Sequence, residues 1–207
     1  MVMTLQFQLF EGERDEQGLK ALEGFRYRPA LIGEADEADL LRDIRELPFR
    51  EFEFHGFTGK RRVVSFGWRY DYSGAQLRKA DAIPDFLLGL RALAASFAHL
   101  KPEELQHVLV SEYQPGAGIG WHRDKTVFGQ VVGISLLAPC VVRFRRKVNG
   151  DLRTDRGRSK QWERVNVLTA PRSAYHLSGP ARSMWEHSIL RVDELRYSIT
   201  FRNVREN

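Results

Sequence analysis

Hydrophobic and polar positions change their period about halfway along the chain. In the first half, Leu40, Leu41, Ile44 and Leu47 share one face of a helix predicted over Glu37 to Leu47, with Pro48 as its stop. A second helix is predicted from Pro84 to Leu100, where Pro84 suits a first turn and Leu87, Leu90, Ala94 and Phe97 recur at helical spacing. Between them, Arg61 to Ser73 is dense in β-formers and aromatics (Val63, Val64, Phe66, Trp68, Tyr70, Tyr72) and predicts a hairpin or ribbon ending at Ser73-Gly74. From His107 onward the pattern shortens to β-rich runs separated by Gly, Pro or polar turns: His107 to Tyr113, Gln130 to Leu137, Cys140 to Arg146, Glu163 to Thr169, Trp185 to Ile189 and Leu195 to Asn203. Such spacing predicts a sandwich or jelly roll, mainly β with flanking helices. A chain of 207 residues fits one domain, with a helical and ribbon-bearing region over 1–104 and a β-core over 105–207.

Composition narrows the class. The formal charge of +5 comes mainly from arginine, whose planar fork of donors suits phosphate and carboxylate, so polyanions are candidate partners; a merely well-solvated surface accounts for the charge as well. Cys140 is the single cysteine, which excludes an intrachain disulfide or a multi-cysteine metal cluster and fits a reducing compartment. Met1 to Glu16 lacks the pattern of a secretory leader, and nowhere do about eighteen apolar residues run together. The expectation is a soluble, cytoplasmic protein with no membrane contact, and nothing points to an obligate protein partner.

The sharpest local feature is Gly118-Ile119-Gly120-Trp121-His122-Arg123-Asp124. Residues two apart on an extended strand point to the same side, so His122 and Asp124 can hold neighbouring positions on one ion. This is the sequence-adjacent part of a two-His, one-carboxylate triad, which leaves coordination positions open and suits iron(II) oxygen chemistry. A surface His-Asp pair gives the same tripeptide. A third ligand has to come from His55, His99, His107, His176 or His187. His99 sits where it caps a helix end, and His55 and His107 precede the strand; His176 and His187 lie in the later β-core, and spacing alone barely separates them.

The last run alternates strictly, with Leu195, Tyr197, Ile199 and Phe201 on one face and Arg196, Ser198, Thr200 and Arg202 on the other. Periodicity alone fits an edge strand with a solvated polar face. It also fits a carboxylate-binding wall, because a dicarboxylate needs fixed cationic donors at its far end.

Taken together, His122-x-Asp124, His187 and the Arg196-to-Arg202 strand resemble the AlkB family of alkylated-nucleic-acid dioxygenases. The likeness runs from about His107 to Val204 and includes Tyr113-Gln114-Pro115-Gly116 and Gly179-Pro180-Ala181-Arg182 ahead of Trp185-Glu186-His187; a weaker likeness at Arg61 to Gly74 matches the family's substrate-covering ribbon. The resemblance implies a double-stranded β-helix with Fe(II) on His122, Asp124 and His187, and 2-oxoglutarate held by Tyr113, Arg196 and Ser198 with help from Arg202. It implies that O2 is used to hydroxylate an N-alkyl carbon of a DNA or RNA base, releasing an aldehyde.

An enzyme of that kind needs a single strand or a flipped base, gripped by stacking. Trp68, Tyr70, Tyr72 and Trp121 are candidates, as are Thr126 and Arg145; core packing is the competing explanation for each aromatic. A basic run from Arg143 to Lys160 around Asn149-Gly150 predicts a cationic hairpin able to track phosphates. Ser111 and Ser198 stand where many family members have Asn, and Thr126 where some base-repairing members carry an acid. The same chemistry on a protein or small molecule, and a non-catalytic nucleic-acid-binding jelly roll, therefore remain alternatives.

Overall fold

The computed structural model describes residues 21–54, 57–71, 74, 76–148, 153–154, 157–158 and 161–205. Two antiparallel sheets face one another. The first has seven strands in the order β1-β13-β8-β15-β6-β3-β2, where β1 is Phe25–Arg28, β2 Arg50–Phe54, β3 Phe57–Phe66, β6 His107–Tyr113, β8 Phe128–Leu136, β13 Ala174–Leu177 and β15 Arg196–Val204. The second has four, in the order β12-β9-β14-β7, where β7 is Ile119–His122, β9 Cys140–Lys147, β12 Trp162–Thr169 and β14 Glu186–Ile189. Val142, Phe144, Val165 and Val167 of the smaller sheet meet Tyr113, Val131, Tyr175 and Leu177 of the larger in one buried cluster. This is the jelly roll expected of the β-rich half.

Helices close the other face of the larger sheet. Helix α1, Glu34–Arg45, begins with Glu34, Asp36 and Glu37 and ends with Arg42 and Arg45, charges that complement its dipole. Its Leu40, Leu41 and Ile44 pack with Val110, Ile134 and Ile199 in a second core, which also takes Leu87, Leu90 and Ala94 from the region of α2, Leu88–Ala98. The helical turn at Asp85–Leu87 is 3-10, so the α-helix starts later than its Pro84 suggests. It ends at His99, in the left-handed region at φ 57°, with the chain capped by its own backbone.

The stretch Arg61 to Ser73 is not one ribbon. Gly67 lies at φ +75°, and a Cβ there would sit 2.0 Å from the Gln106 carbonyl oxygen, so only glycine permits the chain to leave the sheet at this point. Upstream, β3 pairs with β6 inside the large sheet; downstream, β4 (Trp68–Asp71) pairs with β5 (Gln76–Lys79) as a separate hairpin. Strands β10 (Arg153–Thr154) and β11 (Gly157–Arg158) pair between β9 and β12, where the cationic hairpin is expected. His55, Tyr72, Ser73, the Asn149-Gly150 turn, Arg156, Lys160 and the Met1 to Glu16 segment lie outside the described residues.

Candidate active site

His122 ends β7 and lies directly across from His187 on β14; their rings are 4.2 Å apart, and His187 has Phe144 of β9 opposite it on the other side. Asp124 does not share the strand with His122: β7 stops at His122 and Asp124 sits in the loop that follows. The ligand atoms of His122, Asp124 and His187 nevertheless lie within 4.8 Å of one another, so the loop does what two-residue strand periodicity was expected to do. His176 is elsewhere, bonded to Arg26 and Gln130.

Each donor is held in the form a metal needs. His122 Nδ1 is 2.9 Å from the Gly120 carbonyl, which can only accept; Nδ1 therefore carries the proton and Nε2 keeps its lone pair. Burial pushes the His187 pKa down to about 3, and the neighbouring His122 adds to the effect. Burial lowers His122 as well, against the opposing pull of Asp124. For Asp124 burial alone would raise the pKa, but the charges of Arg202 and Arg182 outweigh it and hold the carboxyl well below the usual range. Two neutral imidazoles and one ionised carboxylate make a donor set that fits iron(II).

The loop is fastened from two sides. Arg202 Nη2 donates to Asp124 Oδ1 at 2.9 Å and its Nη1 meets His107 Nδ1 at 3.4 Å. Arg182 Nη2 donates to the carbonyls of Lys125 and Phe128, both at 2.7 Å. Arg182 ends the Gly179-Pro180-Ala181-Arg182 motif, and its clamp on the loop follows from the fold rather than from that local pattern.

Beside the triad, β15 turns its polar face inward. The strand is central, between β8 and β6, and Arg196, Ser198, Thr200 and Arg202 are all buried. A solvated edge strand is thus ruled out. Arg196 faces Tyr113 across the β15–β6 pair, its guanidinium 4.9 Å from the Tyr113 ring, and its Nε donates to Ser135 Oγ at 3.2 Å. Its Nη1 is buried with no partner among the described residues. A buried guanidinium without a carboxylate is costly, and an anionic ligand in this pocket removes the cost. A dicarboxylate such as 2-oxoglutarate fits that requirement.

Tyr175, on β13, is a residue that local motifs do not reveal. A Cβ at Gly133 of β8 would stand 2.5 Å from the Tyr175 hydroxyl, so the phenol lies across that glycine, toward the inner face that Thr200 of β15 shares with Arg196 and Arg202. Burial raises its pKa, and the charges of Tyr113, Asp124, Arg196 and Arg202 all act on it. The signal in the sequence is Gly133, a glycine within an otherwise apolar strand.

The substrate candidates separate into two groups. Tyr70 comes within 5.0 Å of Lys125 Nζ, which sets the β4–β5 hairpin beside the metal loop; Trp68 is half-buried on the same hairpin, and Thr126 is exposed just beyond Lys125. Trp121 and Arg145 stack on each other at 4.3 Å on the outer face of the four-stranded sheet, opposite to the face that carries His187 and Phe144. The structure does not bring those two to the triad.

Residues 24–202 match the family model described as the 2OG-Fe(II) oxygenase superfamily. The chain is 26% identical over 174 residues to the alkylated DNA repair protein ALKBH8 homolog of Arabidopsis thaliana, covering 72% of this chain and 50% of that protein. It is 30% identical over 106 residues to the probable RNA/DNA demethylase ALKBH6 of Danio rerio (51% and 43% covered), and 31% identical over 117 residues to an uncharacterised protein of Acanthamoeba polyphaga mimivirus (50% and 49%). The chain thus spans about half the length of these curated relatives or less. The solved structure of OsALKBH1 superposes with a TM-score of 0.60 at 17% identity, over 87% of this chain and 96% of that one, which shows a shared fold.

Proposed function

Because the chain belongs to the 2OG-Fe(II) oxygenase superfamily, we propose that it removes alkyl groups oxidatively from N-alkylated bases of DNA or RNA. The observation that carries this reading is the conjunction of the His122, Asp124 and His187 cluster with the buried Arg196 guanidinium on the inner face of the same barrel, whose Nη1 has no partner among the described residues. Bound iron(II) and 2-oxoglutarate supply the oxygen activation, which yields succinate, carbon dioxide and a hydroxylated alkyl carbon whose N–C bond then breaks to free the base and an aldehyde.

His122, Asp124 and His187 are the residues that hold the metal. Arg202 keeps Asp124 ionised and aimed, and Arg182 fixes the loop on which it rides. Arg196 takes a carboxylate of the cosubstrate, with Tyr113, Ser198 and Tyr175 lining the same inner face. The buried walls, Phe144 and Val142 among them, keep bulk water from the reacting centre.

Three observations favour a nucleic-acid substrate. Two of the relatives are named for nucleic-acid demethylation or repair. The β4–β5 hairpin brings Tyr70 to the metal loop, with Trp68 two positions before it on the same strand, and both rings are of the kind that stacks on a flipped or single-stranded base. A cleft of about 430 Å³ opens at the same hairpin and is lined by Arg50, Arg69 and Lys79 against the one acid Asp81, a balance that suits a phosphate backbone. A panel of N-methylated single-stranded DNA, duplex DNA and RNA oligonucleotides, read by mass spectrometry beside a panel of peptides, tests the proposal. Demethylation of an oligonucleotide is expected; peptide hydroxylation with no oligonucleotide product would replace it.

A further inference from the structure

The outer face of the four-stranded sheet gathers cations on neighbouring positions. Arg145 on β9 lies directly across from Arg164 on β12, and Arg143 and Lys147 project from the same face of β9. Like charges opposed across strands destabilise a sheet. Among the described residues only one of these four cations has a carboxylate partner: Arg145 Nε meets Glu186 at 2.7 Å, while Arg143 donates to Ser188 Oγ and Arg164 stands exposed.

Two indoles are interleaved with the cations. Arg143 lies 4.9 Å and Arg145 4.3 Å from the Trp121 ring; Arg145 again, at 4.2 Å, and Lys147, at 5.8 Å, attend the Trp162 ring. Both indoles are half-buried, so part of each ring is open to solvent. The helices pack on the other sheet, with α2 against β8 and β13. Cationic groups alternating with aromatic faces form the surface that a flexible polyanion with stackable bases recognises.

Its position matters as much as its chemistry. Trp121 immediately precedes His122 and Glu186 immediately precedes His187, so this row crosses the sheet level with the metal ligands but on the reverse side. The edge strand there is β7, and a strand leaving the metal mouth has only that edge to round before reaching Trp121. We infer that the outer face of the β12-β9-β14-β7 sheet is a track for single-stranded nucleic acid flanking the target base. This rests on the nucleic-acid reading of the site and extends it to residues that do not touch the reacting base.

The test compares the wild type with Lys147→Glu/Arg164→Glu and Lys147→Gln/Arg164→Gln, two exposed positions, with circular dichroism and melting temperature confirming the fold. The probes are a single strand of about 16 nucleotides, near the upper end of a single-module site, and a trinucleotide carrying the same N-methylated base. Charge reversal is expected to weaken binding of the long strand about tenfold at low salt. It should also flatten the dependence of log affinity on log salt by about 1.4, two phosphate contacts at ~0.7 each. The glutamine pair should flatten it equally with a smaller loss of affinity, and turnover of the trinucleotide should not change. Unaltered affinity and salt slope for the long strand, or a parallel fall in trinucleotide turnover, would overturn the track while leaving the base reading intact. Binding of the long strand that depends on this face, with no turnover of any methylated nucleic acid, would support the track and overturn the base reading instead.

Discussion

Arg202 and Asp124 are 78 positions apart in sequence, yet Arg202 Nη2 donates to Asp124 Oδ1 at 2.9 Å with both side chains nearly inaccessible. A loop carboxylate thereby acquires the fixed direction that a strand would otherwise give it. Partners of this kind tune metal affinity by about 10–100-fold. Arg202→Ala is accordingly expected to weaken iron(II) binding by that order in an anaerobic titration, and Arg202→Lys by less, because a point charge restores ionisation but not the fork.

The cosubstrate pocket gives a graded series. Arg196→Gln removes a buried cation whose Nη1 has no partner among the described residues and should raise the 2-oxoglutarate Kd by about 100-fold or more, a charge-assisted pair being worth ~3 kcal/mol. Tyr175→Phe removes a single hydroxyl and should raise it about tenfold, at ~1.5 kcal/mol. Calorimetry with 2-oxoglutarate in the presence of a redox-inert divalent metal separates these effects from metal binding, which neither variant should change.

Acid should destabilise the metal-free protein. Burial holds His187 at about 3 and His176 at about 4, and burial together with the Arg202 charge lowers His107 against the pull of Asp124. The unfolded chain takes up these protons near pH 6.5 and the folded chain does not, so stability is full above that pH and falls as pH drops toward the folded values. Melting temperature measured in chelator should decline steadily from pH 7 to pH 4.5. Replacing His176, which lies outside the metal cluster, with Gln should shallow the decline; a slope unchanged by His176→Gln would show that its burial is not felt.

One buried acid ties α1 to the barrel. Glu37 accepts from the Leu137 backbone N–H at 2.9 Å and from Arg172 Nη1 at 2.8 Å, and both partners sit at positive φ. Glu37→Ala leaves the Leu137 N–H without its acceptor and should cost about 1–3 kcal/mol in a denaturant midpoint measurement, without altering iron(II) affinity.

What could be read from the sequence depended on how local the cause was. His107 to Tyr113 is a strand with the expected bounds because its pattern is self-contained, and the alternation of Arg196 to Arg202 was visible although its burial was not: that depends on β8 and β6 flanking it. The short strands Phe25–Arg28 and Ala174–Leu177 carry too few residues to show a period, and Tyr175 lies on the second of them. Trp121 and Arg145 had the right chemistry for nucleic acid, but alternation turns both away from the face that holds His122 and His187. The Arg202 to Asp124 bond and the Arg182 clamp join segments far apart in the chain, and no local pattern announces them.

The most direct measurement is the stoichiometry of one reaction: an N-methylated single strand incubated with the protein, iron(II), 2-oxoglutarate and oxygen, with repaired base, aldehyde and succinate quantified together. The account predicts equal yields of all three in the wild type and none in Asp124→Ala, a variant that should remain folded. Succinate formed without base repair, or repair that survives in Asp124→Ala, would contradict it.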